Sequence, residues 1–185
     1  MTSQQPSDQP AGMSGANGKQ SDRQAELSIT TDVLNYTGCD LSELETELPA
    51  LAQFILQQEG QRGEWTITIV LTTDEHLREL HRQFMGIDEE TDVMTFPLGD
   101  DGEHGGDIVI SVDRADEQAA EAGHGLSDEI RFLAAHGLLH LCGWDDRDDP
   151  SRAAMLSRQS ALLDALRARR RDTGRADDLG SSINS

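Results

Sequence analysis

Trp65-Thr66-Ile67-Thr68-Ile69-Val70-Leu71, followed by Thr72-Thr73-Asp74-Glu75, is the stretch that sets the fold class. Its large apolar residues recur at every second position, the period of a strand with one face in a core. Thr73 then suits the N-cap of a helix. Asp74 and Glu75 fall in the first turn, where acidic side chains meet the positive end of the helix dipole. Leu77, Leu80 and Phe84 follow at helical spacing and are expected on the buried face. A strand that runs straight into a helix is the building unit of a layered α/β domain.

Upstream, Leu27 to Val33 alternates weakly and reads as a strand. Ser42 with Glu45 has the form of a capping box, and Leu44, Leu48, Leu51 and Ile55 then recur at helical spacing. Pro49 is expected to kink or restart that helix. Downstream, 92–96 and 107–112 read as short strands. Asp113 is expected to cap a helix that Gly123 ends. Ser127 is expected to cap another, with Ile130, Leu133, Ala134, Gly137, Leu138 and Leu141 on its apolar face. Asp149-Pro150 opens a last helix, with proline at the first helical position. Four strands interleaved with helices predict a single α/β (α+β) domain, a central mixed sheet flanked by helices.

Within the fourth helical segment stands His136-Gly137-Leu138-Leu139-His140, followed by Leu141-Cys142-Gly143-Trp144-Asp145-Asp146. Residues four apart lie on one helix face, one turn from each other. That spacing offers two imidazoles to one metal ion. Gly143 suits a left-handed helix end, after which the chain can bring a carboxylate back. Two histidines and a carboxylate leave one place for water, the stoichiometry of a catalytic zinc site. Asp145, Asp146 and Asp148 all compete for the third position, and each also suits a turn or a cap. The zinc-protease motif HExxH has its glutamate base after the first histidine. Here that residue is Gly137, so a peptidase reading lacks its proton acceptor.

These residues, with two blocks upstream, resemble the YbeY family of bacterial endoribonucleases that mature ribosomal RNA. The family's metal motif is H-G-x-L-H-L-x-G-Y-D-H. Thr91-Asp92-Val93-Met94-Thr95-Phe96-Pro97 is similar to its T-D-V-L-S-F-P block, and Gly106-Asp107-Ile108-Val109-Ile110 to its G-D-I-x-I strand. Order and spacing agree, over roughly 27–171. The resemblance implies one four-stranded sheet flanked by helices, one Zn2+ held by His136, His140 and Asp146, and cleavage of single-stranded RNA. It also implies rRNA of the small ribosomal subunit, notably its 3′ end, as partner rather than DNA, and a part in ribosome quality control. Two departures stand out. The family's third ligand is histidine, and Asp146 replaces it. Aspartate oxygen is an acceptable zinc ligand at about 2.0–2.2 Å, but its charge makes a bound water less acidic. Many members also carry Y-R-G before the T-D-V block, where this chain has Phe84-Met85-Gly86. Arg82, about one helical turn earlier, is the candidate to supply the missing arginine's catalytic role. His81 beside it either faces the cleft or is solvated.

At 185 residues the chain is long enough for one domain with a real core. Residues 26–171 are expected to form it. Residues 1–25, rich in Ser, Gln, Gly, Asp and Pro, and residues 172–185 read as disordered tails. The N-terminal stretch has no apolar signal region, and no apolar run approaches the ~20 residues that span a membrane. Cys39 and Cys142 are too few for a disulfide framework and fit a reducing compartment, so a cytoplasmic location is expected. Cys142 is expected to be a buried thiol rather than a ligand. Trp144 and Phe96 could stack on RNA bases but are expected in the core. Asp92 is expected in a turn, and nothing is assigned to His104 or His124. The net charge of −20 opposes nonspecific binding to phosphate backbones. Arginines 152, 158, 167, 169, 170 and 171 gather in the last helix and could form a limited basic strip. Two other readings therefore stand beside the nuclease: a metal-dependent hydrolase of a non-RNA substrate, and a zinc-stabilised ribosome-assembly factor that binds without cutting.

Overall fold

The computed structural model describes residues 26–99 and 103–171 in full, and the backbone of residues 172–181. The tails expected at 1–25 and 172–185 lie outside the fully described residues. The elements run β1 (Leu27–Asn35), α1 (Ser42–Gln58), β2 (Gly63–Thr72), α2 (Asp74–Met85), β3 (Val93–Pro97), β4 (His104–Ser111), α3 (Val112–Ala122), α4 (Leu126–Leu141) and α5 (Asp149–Ser181). The sheet order is β1-β2-β4-β3. β1 and β4 pair parallel to β2, and β3 pairs antiparallel to β4. This is the mixed four-stranded sheet with flanking helices.

Alternation along β2 and β4 divides the apolar side chains between two cores. Trp65, Ile67, Ile69, Leu71, Ile108 and Ile110 face α1 and α4 in the larger one, which Met155 and Leu162 of α5 help to close. Val109 and Met94 face the other way and meet Leu77 of α2. α4 is sandwiched between the sheet and α1, α3 and α5. Gly137 lets it come close: a Cβ there would lie 2.7 Å from Ile108 Cγ2. The position that carries the base in HExxH therefore faces the sheet and has no room for a side chain.

Local capping departs from the sequence expectation in several places. Leu41, not Ser42, is the N-cap of α1. Asp40 Oδ1 accepts from both Ser42 N–H and its hydroxyl, and Glu45 Oε1 accepts from Asn35, so no capping box forms. α1 passes through Pro49 without restarting. α3 begins earlier than expected, because β4 ends at Ser111, whose hydroxyl accepts from Arg114 N–H. Asp113 instead accepts from the N–H of Asp74, at the start of α2. Gly125 precedes α4, so Ser127 lies inside its first turn. Asp148 accepts from Ser151 N–H and caps α5, placing Pro150 second in the helix. Thr73 caps α2 as its sequence predicts. Phe84 is 66% exposed rather than buried. Its ring meets Phe96 of β3, which is an edge strand, so no further strand of the sheet lies beyond it among the described residues.

Candidate metal centre

α4 ends in a Schellman motif: Trp144 N–H reaches the Leu139 carbonyl and Gly143 N–H the His140 carbonyl, with Gly143 at φ 94°. This reversal returns the chain toward the histidine face. Asp145 Oδ1 accepts from the N–H groups of Asp146 and Arg147 and so shapes the turn. Asp146 is the carboxylate delivered to the rings. Its Oδ2 lies 3.5 Å from His136 Nε2 and 3.6 Å from His140 Nε2, and the two Nε2 atoms are 3.1 Å apart. Asp148 is spent on the cap of α5.

The proton on each ring follows from its partners. Gln159, fully buried on α5, donates its amide Nε2 to the Phe132 carbonyl at 2.8 Å. Its Oε1 therefore faces His136 Nδ1, at 3.2 Å, and can only accept. His140 Nδ1 lies 3.0 Å from the Trp144 carbonyl, another group that only accepts. Both neutral rings thus carry hydrogen on Nδ1 and turn an Nε2 lone pair toward Asp146. Three acceptors converge with no proton among them. A cation between them resolves that repulsion, and ligand atoms about 2.0–2.2 Å from a tetrahedral zinc stand about 3.3–3.6 Å apart. The donor set fits a metal ion, and His136, His140 and Asp146 form the one such cluster among the described residues. Burial holds the His136 ring below the ordinary histidine range, favouring its neutral, ligating form.

The cluster opens into a cleft of about 720 Å³. The turn after α4 forms one wall, α2 with His81 and Met85 the other, and Val93, Met94, Thr95 and Pro97 of β3 the floor. The ladder bonds Ser111 N–H to Asp92 and Leu98 N–H to Gly105 fix the alternation of β3. By that alternation the backbone of Thr95 points away from β4, across the open edge. His81 Nδ1 is 2.8 Å from the Glu89 carbonyl, so the neutral ring keeps Nε2 as an acceptor. Asp92 lines the cleft with both oxygens engaged, by Val93 N–H and by Gln118.

Arg82 is not among the lining residues; its guanidinium holds both oxygens of Glu79 at 2.7–3.0 Å. Met85 occupies that wall. Four arginines of α5 are drawn into the fold: Arg158 pairs with Glu59, Arg167 with Asp128 and Arg170 with Glu47, while Arg169 lies over Phe54; Arg152 pairs within the helix, with Asp149. Trp144 donates to Glu59 and packs on the main core. Cys142 is half-buried, and burial pushes its thiol up to about 12. His104 stacks on Trp65, and His124 pairs with Glu129.

The family model described as Endoribonuclease YbeY matches residues 29–167. The chain belongs to the YbeY family. Among curated YbeY proteins it is 35% identical over 150 residues to that of Bacillus velezensis, covering 75% of this chain and 96% of the relative. It is 38% identical over 157 residues to that of Moorella thermoacetica, covering 78% and 99%. A solution structure from Thermotoga maritima superposes with a TM-score of 0.56 at 26% identity, covering 78% of this chain and 93% of that one. The YbeY motif located the histidines and the returning aspartate. It gave no sign of Gln159, which stands 23 residues from His136 on another helix.

Proposed function

We propose that the protein is a zinc-dependent endoribonuclease acting on single-stranded RNA in the cytoplasm, in maturation of the small-subunit rRNA 3′ end and in ribosome quality control. Residues 26–171 are the domain proposed to carry it. The observation behind this reading is the convergence of two Nε2 lone pairs and one carboxylate in an open cleft of a YbeY-family chain. His136, His140 and Asp146 would hold the zinc, which would supply a Lewis acid for a phosphodiester oxygen. The protein's own side chains do the rest. Gln159 and the Trp144 carbonyl aim the two rings. His81, with its proton on Nδ1, leaves Nε2 to take a proton on the opposite wall. Arg82 reaches a substrate phosphate only by giving up Glu79. An open cleft on a sheet edge suits an extended strand better than a duplex.

The test is cleavage of single-stranded RNA by purified protein, beside a His140→Ala preparation whose zinc content is measured. Cleavage by the wild type alone, stopped by a chelator, supports the reading. Equal cutting by both preparations identifies a contaminant and removes it. Met85 in the cleft, with Arg82 tied to Glu79, favours one second reading: a zinc-stabilised assembly factor that binds and does not cut. Association with small ribosomal subunits by a protein that cleaves no RNA would select it.

A further inference from the structure

We propose that Phe84 and Met85 form an apolar platform on which an unstacked base of single-stranded RNA sits, beside the cleft that holds His136, His140 and Asp146. The inference rests on the endoribonuclease reading for its ligand class.

Seven large apolar side chains are exposed among the described residues, and four of them, Phe84, Met85, Ile87 and Leu98, belong to the two segments that border the cleft. Phe84 is 66% and Met85 61% exposed. Phe84 is also held in place: its ring rests against Phe96, with centroids 5.1 Å apart and planes 64° apart, so it offers a surface without needing to be ordered. Met85, the next residue of α2, lines the cleft itself, where its flexible thioether can adapt to a ring. The charge of the site argues for a base as occupant. Among the described residues the cleft is lined by Asp92, Asp145 and Asp146, and its one arginine, Arg147, pairs with Asp145 at 3.3 Å. A phosphate chain finds little attraction there apart from the metal. Bases are what remains to be gripped, and every base has a face that stacks on an aromatic ring whatever its sequence.

The experiment uses the full chain with zinc and a short single-stranded RNA, its 2′-O-methyl form, checked to remain uncut, for binding, and versions with an abasic nucleotide moved along the strand. Phe84→Ala is expected to raise KM and weaken binding of the 2′-O-methyl strand about five- to a hundred-fold, as loss of one base stack does. Its kcat and zinc content are expected to hold, and Phe84→Trp to restore KM. On one abasic strand the wild type and Phe84→Ala should have equal KM, because the partner base is already gone. Unchanged KM and binding in Phe84→Ala would overturn the platform. A wild type that binds through Phe84 yet cuts nothing would keep the platform and remove the nuclease. A wild type that neither binds nor cuts removes both. If Phe84→Ala alters sedimentation and leaves RNA affinity alone, the platform meets a second copy of the chain and the proposal falls.

Discussion

Gln159 does for His136 what a carboxylate does in many zinc sites, but without a charge. Its amide is pinned by the Phe132 carbonyl, so only its oxygen can meet the ring. Gln159→Leu keeps the bulk and loses the acceptor. It is expected to weaken zinc binding about 10–100-fold, the usual cost of losing such a partner, read by competition with a chromophoric chelator. The two cysteines give a second expectation. Cys39 is exposed, and burial keeps the Cys142 thiol protonated far above neutral pH. A thiol reagent at pH 8 should label Cys39 in the folded protein and reach Cys142 only in denaturant; equal labelling would contradict the packing around Cys142. The histidine pair was legible in the sequence because its spacing is a local property of one helix. Gln159 was not, because a lone glutamine in an amphipathic helix carries no pattern, and its partner is set by how α5 docks on α4. Arg82 shows the same limit from the other side: its place one turn from Met85 was readable, but its preference for Glu79 depended on side-chain geometry.

The elements were legible where periodicity was strong, and their ends were not. β2 and the capped start of α2 follow the alternation and Thr73 directly. Ser42, Asp113 and Ser127 failed as caps because neighbours competed: Asp40 for Ser42, Asp74 for Asp113, and Gly125 one step before the helix. The seat of α4 on β4 makes a testable case of close approach. Gly137→Ala would push a methyl into Ile108 and is expected to cost about 1–3 kcal/mol in urea unfolding. Combined with Ile108→Ala the two costs should be less than additive, since the cavity accepts the methyl. A second joint is ionic. Arg131 of α4 and Arg170 of α5 both reach Glu47 of α1, at 2.6 and 2.8 Å. Burial pushes the Glu47 carboxyl up, but the two arginines outweigh it and hold it below the ordinary range. The stabilisation is therefore complete above the ordinary carboxylate pKa and is lost as pH falls through the depressed folded value. Glu47→Gln should flatten the acid limb of a stability-against-pH curve, and an unaltered limb would show that the clamp contributes nothing.

For the molecule as a whole, charge was legible in amount but not in arrangement. The arginines of the last helix, read as a basic strip, mostly tie α5 to α1 and α4. Among the described residues few cations are left to neutralise phosphates, so the proposed RNA complex should depend weakly on salt. With about two phosphate contacts, the slope of log K against log salt is expected near −1.4 for a single strand. A slope several times steeper, measured by titration over a salt series, would mean that a basic surface does engage the backbone. The same helix that consumes this charge also completes the candidate metal centre. Gln159 follows His136 by 23 residues, so a nascent chain exposes both histidines and Asp146 before the residue that aims the first of them. If the site holds a metal, capture at full strength then waits for the last helix to dock, and a chain truncated before Gln159 would keep all three candidate ligands yet is expected to bind zinc poorly.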